Sequence, residues 1–189
     1  MTGGTSTNFT SESGEHMKII IAGLDNSGKS SVVLSLKGAN NLLSFARLRP
    51  TLGHEITRIN DYEKKVMIWD LGGQEKYRYE NVENFEKFSP GVQRFIYLVD
   101  VQDRDRYDLS LEYFQQLVNK FPDHFHPEIF LFLHKFDPIL ENNPDYSDLN
   151  LYNELVKKFK DKLPAKSSLQ VFKTTIFTIF RKTNFSMPE

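Results

Sequence analysis

The residues with the clearest chemical purpose are Gly23-Leu24-Asp25-Asn26-Ser27-Gly28-Lys29-Ser30, which fit the spacing G-x-x-x-x-G-K-[ST] without a mismatch. The apolar residues Ile19 to Ala22 run into the segment, and Val32, Val33, Leu34 and Leu36 run out of it. A strand should therefore enter the loop and a helix should leave it, which is the context the pattern needs. The chemistry is anion capture. Glycines let the loop curl until backbone N–H groups point inward, and the helix N-terminus adds partial positive charge. Lys29 can reach the outer phosphates of a polyphosphate, and the Ser30 hydroxyl can bind Mg²⁺. A glycine-rich turn without a ligand would not need the flanking strand and helix.

Three further strings carry chemistry of a compatible kind. Trp69-Asp70-Leu71-Gly72-Gly73-Gln74 closes an apolar run. A carboxylate at Asp70 can hold Mg²⁺ directly or through water. Gly73 has no side chain, so its N–H can approach a terminal phosphate, and Gln74 can orient an attacking water. Pro50-Thr51-Leu52-Gly53 supplies a Thr hydroxyl in a loop able to close over a metal and a terminal phosphate. His134-Lys135-Phe136-Asp137 follows another apolar run. A carboxylate such as Asp137 can accept two hydrogen bonds from N1–H and the exocyclic amine of guanine, whereas adenine would leave it unpaired. The aliphatic stem of Lys135 can lie along the base. Read alone, each short string is also a plain loop or a charged strand exit.

These residues need elements to position them. Period-two and continuous apolar runs predict strands over Lys18–Ala22, Glu55–Ile59, Lys65–Leu71, Arg94–Asp100, Glu128–His134 and Leu169–Thr174. Helical spacing predicts helices near Lys29–Lys37, Glu75–Phe88, Arg106–Phe121 and Leu149–Lys162. In the third helix, Leu111, Phe114, Val118 and Phe121 share a face, with Leu109, Tyr113 and Leu117 beside them. The segment Asn60-Asp61-Tyr62-Glu63-Lys64 reads as a hairpin turn, which makes the second strand antiparallel. The alternation predicts an α/β fold of the P-loop NTPase kind. Its six-stranded, mostly parallel sheet carries helices on both faces, with the ligand at the carboxyl ends of the strands.

One domain, from 18 to 189, accounts for this pattern. Residues 1–17 form either a disordered native tail or an artificial leader ahead of a true start at Met17. Sixteen Phe and eight Tyr describe a globular chain, and a net charge of −1 gives no nucleic-acid-binding surface. The absence of cysteine excludes disulfides, thiolate metal sites and palmitoyl or prenyl attachment. Apolar runs such as Ile129 to Leu133 are too short to span a bilayer, and Thr2 does not fit the myristoylation pattern. A cytoplasmic protein is the simplest expectation, with any peripheral recruitment to membranes left to partners.

Taken in order, the four strings resemble the Ras-like small GTPases, and the resemblance covers nearly everything from Lys18 to Ile179. Two branches compete. The phosphate loop, Pro50 to Gly53, the run Trp69 to Arg78 and Val99-Asp100-Val101-Gln102-Asp103-Arg104-Asp105-Arg106 look like the ADP-ribosylation factor (Arf) branch. The strings His134 to Asp137 and Lys173-Thr174-Thr175-Ile176 look more like Rag GTPases.

The resemblance implies GTP and GDP as ligands, with Mg²⁺. The loop from Gly23, including Asp25, Asn26, Ser27 and Gly28 and ending at Ser31, would surround the phosphates, and Lys29 would neutralise them. Ser30 and Thr51 would bind Mg²⁺ with Asp70 behind, Gly73 would sense the terminal phosphate, and Gln74 would position water, which makes Gln74 and Lys29 the catalytic pair. His134, Lys135 and Asp137 would read guanine, with the backbone near Thr175 and Ile176 closing over the base. Implied partners are effectors, GTPase-activating and exchange proteins, and a G-domain or roadblock-type dimer partner.

Four features depart from the family pattern. His134 stands where most relatives have Asn, and the stretch Gly38–Arg49 is long. No membrane anchor is evident. Only 14 residues follow Thr175, so a short or truncated final helix is expected. Arg47 and Arg49 precede Thr51, where an arginine acting in cis could enter. Two functions stay open at this point: a slow GTP-hydrolysing switch, and a nucleotide-dependent Rag-like scaffold with little hydrolysis.

Overall fold

The computed structural model describes residues 16–39, 42–60, 65–122, 124–125, 127–164 and 167–176. Residues 1–15 of the expected tail, the turn residues 61–64 and the end of the chain from 177 lie outside the described residues, whereas His16 and Met17, also assigned to the tail, belong to the first strand. Strands β1 (His16–Gly23), β2 (His54–Asn60), β3 (Lys65–Leu71), β4 (Arg94–Asp100), β5 (Glu128–His134) and β6 (Leu169–Lys173) form one sheet in the order β2-β3-β1-β4-β5-β6. Only the β2–β3 pair is antiparallel; every other pair is parallel. The helices are α1 (Lys29–Leu36), α2 (Leu42–Ala46), α3 (Glu75–Phe88) and α4 (Tyr107–Val118). They are followed by α5 (Asp148–Leu151), which continues through a π-helical segment (Tyr152–Val156) into α6 (Lys157–Asp161).

The alternation of side chains along β1 explains the layers. Ile20 and Ala22 enter one apolar cluster, and Ile19 and Ile21 enter another. The first cluster is aromatic. Phe85 from α3 meets Phe95 of β4 and Phe121 edge-on, at 6.0 and 5.0 Å between ring centroids. Phe114 from α4 meets Phe159 of α6 at 4.9 Å, so three helices cover this face of the sheet. The other face carries Val32 and Val33 of α1 against Ile21, Ile68 and Leu98.

Several boundaries differ from expectation, and those of the first strand and the third helix differ most. Strand β1 begins at His16 rather than Lys18, because His16 and Met17 pair with Lys65 and Val66 at the start of β3. The third expected helix starts one residue later, at Tyr107, after a 3₁₀ turn over Arg104–Arg106, and stops at Val118. Its Leu109 points outward, whereas Tyr113, Phe114 and Leu117 are buried. Helix α2 sits inside the long stretch Gly38–Arg49; five residues are too few to show a helical period. No helix among the described residues is long and apolar enough to cross a membrane. The parallel topology sends the carboxyl ends of β1, β4 and β5 to one edge, which gathers the strings identified from sequence.

Candidate functional site

The phosphate loop leaves β1 at Gly23 and becomes α1 at Lys29. Gly28 caps α1 with φ of 92°, a left-handed value that suits glycine, and a Cβ there would lie 2.7 Å from His134 Nε2. Glycine is thus required twice over, by backbone conformation and by the imidazole seated against the loop. Lys29 is buried, and its Nζ donates to Leu24 O at 2.6 Å and to Ser27 Oγ at 3.5 Å. Burial pulls its pKa down to about 8, partly offset by the carboxylates of Asp70 and Asp25. An ammonium held this dry gains strongly from an incoming anion.

Beside it, three oxygens from three elements converge. Ser30 Oγ donates to Asp70 Oδ2 at 2.6 Å, and Thr51 Oγ1 lies 3.0 Å from Ser30 Oγ and 3.3 Å from Asp70 Oδ2. Asp70 is buried, desolvation raises its pKa, and the Ser30 hydrogen bond opposes that rise. Its Oδ1 is buried with no hydrogen-bond partner. A hard divalent cation fits this arrangement: two hydroxyls and a carboxylate form an oxygen donor set, and the orphaned Oδ1 can accept from a metal-bound water. The described residues hold no cluster of three or more His, Cys, Asp and Glu, so a carboxylate cage of the calcium type is not what they form.

A cavity of about 300 Å³ opens over these groups, between the phosphate loop and the segment Leu48 to Thr51, with Gly73 and Gln74 on its wall. Gly72 N–H donates to Gly53 O at 2.7 Å, which ties the Pro50–Gly53 loop to the turn after β3. Gly73 lies flat on the phosphate loop. Its carbonyl accepts from Asp25 N–H at 3.0 Å, and a Cβ would collide with the Leu24–Asp25 peptide. Gln74 occupies the N-cap position of α3 without bonding back to the helix, which leaves its amide free for the cavity it lines. Arg49 lines the cavity; Arg47 does not. Phe85 and Phe88 pack in the core, and Tyr79 is exposed.

The second half of the site lies at the ends of β5 and β6. Asp137 Oδ1 accepts from Thr175 Oγ1 at 2.6 Å, and Oδ2 accepts from Gln102 Nε2 at 3.1 Å. Gln102 also donates to Lys135 O at 2.7 Å, and Lys135 Nζ pairs with Asp100 Oδ2 at 2.7 Å. This extends the Lys135 stem beside the carboxylate, with its backbone at φ of 58°. His134 is buried; its Nδ1 lies 2.8 Å from Thr174 Oγ1, and burial lowers its pKa. The imidazole therefore bridges the end of β6 to the phosphate loop. Thr175 reaches the site through its hydroxyl, whereas the Ile176 side chain packs on the apolar face near α1.

Sequence reasoning missed four contributors. Asp100 and Gln102 hold the His134–Asp137 string, and Arg78 and Arg106 converge on Asp25. All but Arg78 belong to the run Val99 to Arg106, and Arg78 ends the run from Trp69; within both runs these four residues had served only as family likeness. Their partners lie 33 to 81 residues away where the hydrogen bonds are drawn, and no local spacing signals that.

Comparison with known proteins agrees with this geometry. The model of the "ADP-ribosylation factor family" matches residues 5–179. "ADP-ribosylation factor-like protein 8c" of Arabidopsis thaliana is 28% identical over 106 residues, covering 56% of this chain and 54% of the relative. "ADP-ribosylation factor 3" of the same plant is 29% identical over 103 residues, covering 54% and 52%. The chain thus spans about half the length of the curated relatives it matches. Among solved structures, the Arl6 BBS3 small GTPase from Trypanosoma brucei with bound GppNp superposes with a TM-score of 0.63 at 18% identity, covering 85% of this chain and 87% of that one. The GTP-bound T. brucei IFT22/74/81 structure gives 0.57 at 16% identity, covering 86% and 84%. Those two likenesses speak to the small-GTPase fold, and the family match, which runs through nearly the whole chain, speaks to descent. The protein belongs to the ADP-ribosylation factor (Arf) family of small GTPases.

Proposed function

We propose that this protein is a guanine-nucleotide switch that binds GTP and GDP with Mg²⁺ and slowly hydrolyses GTP to GDP and phosphate. The observation that supports it most is the meeting of Ser30, Thr51 and Asp70 beside the buried ammonium of Lys29. Ser30 and Thr51 hydroxyls would hold the cation with Asp70 behind them; the cation supplies charge neutralisation on the phosphates. Lys29 and the backbone N–H groups from Asn26 to Ser31 bind and orient the phosphate chain. Gln74 orients water for in-line attack on the terminal phosphorus, and the Gly73 N–H and Lys29 meet the charge that develops there. Asp137 selects guanine, and Lys135 supports the base. Small GTPases of this design turn over at roughly 10⁻⁴ to 10⁻³ per second without help, which calls for an activating partner.

Loss of the terminal phosphate would release Thr51 and Gly73, and the loops they anchor would report that loss to effectors. Single-turnover phosphate release from preloaded GTP tests the enzymatic half. Gln74→Leu should slow release at least about tenfold with GTP affinity retained. Equal rates in the two proteins would remove Gln74 from the mechanism.

A further inference from the structure

Asp25 stands on the wall of the phosphate cavity, yet it is an anion in a site built to receive anions. Unlike Asp70, it takes no part in the hydroxyl cluster that suits a cation. Two arginines hold it. Arg106, at the end of the 3₁₀ turn before α4, donates from Nη1 to Asp25 Oδ1 at 2.9 Å and from Nη2 to Asp25 O at 3.4 Å. Arg106 is itself fixed by Asp103, which accepts from Nε at 2.6 Å. Arg78, in the first turn of α3, lies 3.8 Å from the same Oδ1 and donates to Gly73 O at 2.9 Å. Gly73 O also accepts from Asp25 N–H, so Asp25, Gly73 and Arg78 close a ring that pins the start of α3 to the phosphate loop.

The ring lies close to the phosphate-binding lysine in the electrostatic sense. Asp25 supports the charged form of Lys29, and Arg78 and Arg106 oppose it. A terminal phosphate entering the cavity carries the same sign as Asp25 and the sign that attracts Arg78. Arg78 is well covered from solvent, with 14% of its side chain exposed, so its attraction is weakly screened. Asp25 and a terminal phosphate are then alternatives for one cation.

We propose that Asp25 is a specificity-determining residue: a resident carboxylate that competes with the terminal phosphate for Arg78, while Arg106 keeps it in place. The proposal rests on the nucleotide-binding reading above. It sets the balance between the triphosphate and diphosphate states without touching the base. With Asp25 paired, α3 is latched to the phosphate loop; a triphosphate must displace that latch, and a diphosphate need not.

The test is equilibrium binding of GDP and of a non-hydrolysable GTP analogue to the full chain carrying Asp25→Asn, which keeps the shape and removes the charge. Affinity for the triphosphate analogue should rise about tenfold relative to GDP, with GDP itself changing less than about twofold. Asp25→Ala should move the ratio the same way. Competition makes a second demand: Arg78→Gln should cost more triphosphate affinity in the Asp25→Asn background than in the wild type. An unchanged or lowered triphosphate-to-diphosphate ratio in both Asp25 variants, or an equal Arg78→Gln effect in both backgrounds, overturns the assignment. If the wild-type chain binds neither nucleotide, the nucleotide reading fails and takes this one with it. GDP binding that persists with an unmoved ratio overturns the Asp25 assignment alone.

Discussion

The phosphate end and the base end of this site are built in opposite ways. At the phosphate end one contiguous loop supplies most of the lining, joined by Thr51, Asp70, Gly73 and Gln74, and burial does the tuning: Lys29 and Asp70 are both enclosed, and both have pKa values moved by desolvation. At the base end, Asp137 and Lys135 are held by side chains from distant parts of the chain, Thr175, Gln102 and Asp100. The phosphate end stores unsatisfied electrostatics that a ligand would relieve. The base end is already satisfied internally, so a base must exchange hydrogen bonds rather than gain them outright. On the proposed reading, such an end would provide discrimination rather than raw affinity. His134 belongs to both, touching Gly28 on one side and Thr174 on the other.

This contrast can be broken or sharpened by experiment. The largest effect should come from Asp137→Ala. The ratio of GDP to ADP affinity should collapse by about a thousandfold, because the site loses the group that rewards guanine; competition binding of the two nucleotides reads it. A ratio that survives would show that the base end does not discriminate.

Lys29→Ala comes next. It should weaken GDP and GTP alike by about a hundredfold, since a charge-assisted contact to phosphate disappears. Isothermal titration measures it, and an unchanged GDP-to-ADP ratio in the same variant would confirm that the two ends act separately.

The third prediction concerns pH. With its pKa lowered from 10.5 to about 8, Lys29 in the free protein loses its proton above that value, and a bound phosphate favours the charged form. Nucleotide affinity should therefore fall above pH 8, by up to about tenfold per unit, with proton uptake on binding. In the ligand-free protein the sign is reversed for folding: the unfolded chain holds more protons between 8 and 10.5, so this residue adds stability as pH rises through that window.

The smallest effect should come from His134→Asn. A buried imidazole with a lowered pKa resists protonation, so folding stability is lost as pH falls below 6.5. Thermal melts in that range should show a shallower acid loss in the Asn variant, with base discrimination intact.

The sequence made the phosphate loop legible because its chemistry is local. Gly28, Lys29 and Ser30 must be consecutive for a loop to become a helix around an anion, so spacing alone reveals them. Strand runs such as Arg94–Asp100 were legible for a similar reason, being apolar from Phe95 to Val99 in a sheet covered on both faces. Helix α2 was not, because five residues carry no period. Arg78 and Arg106 escaped because both look like ordinary surface arginines; only folding brings them to Asp25, the latter from 81 residues away. His134 was noticed as a departure from the family pattern, but its seat against Gly28 follows from β5 running parallel to β4, next to β1, and no motif encodes that.

The cavity between Lys29, Thr51 and Gly73 is proposed to receive a guanine nucleotide with Mg²⁺. Equilibrium titration of the nucleotide-stripped protein with GDP and with ADP, each with and without Mg²⁺, tests it most directly. GDP should bind saturably and weaken at least about tenfold when Mg²⁺ is withheld, with ADP weaker by about a thousandfold. Equal binding of GDP and ADP, or no Mg²⁺-dependent binding of GDP, would contradict it.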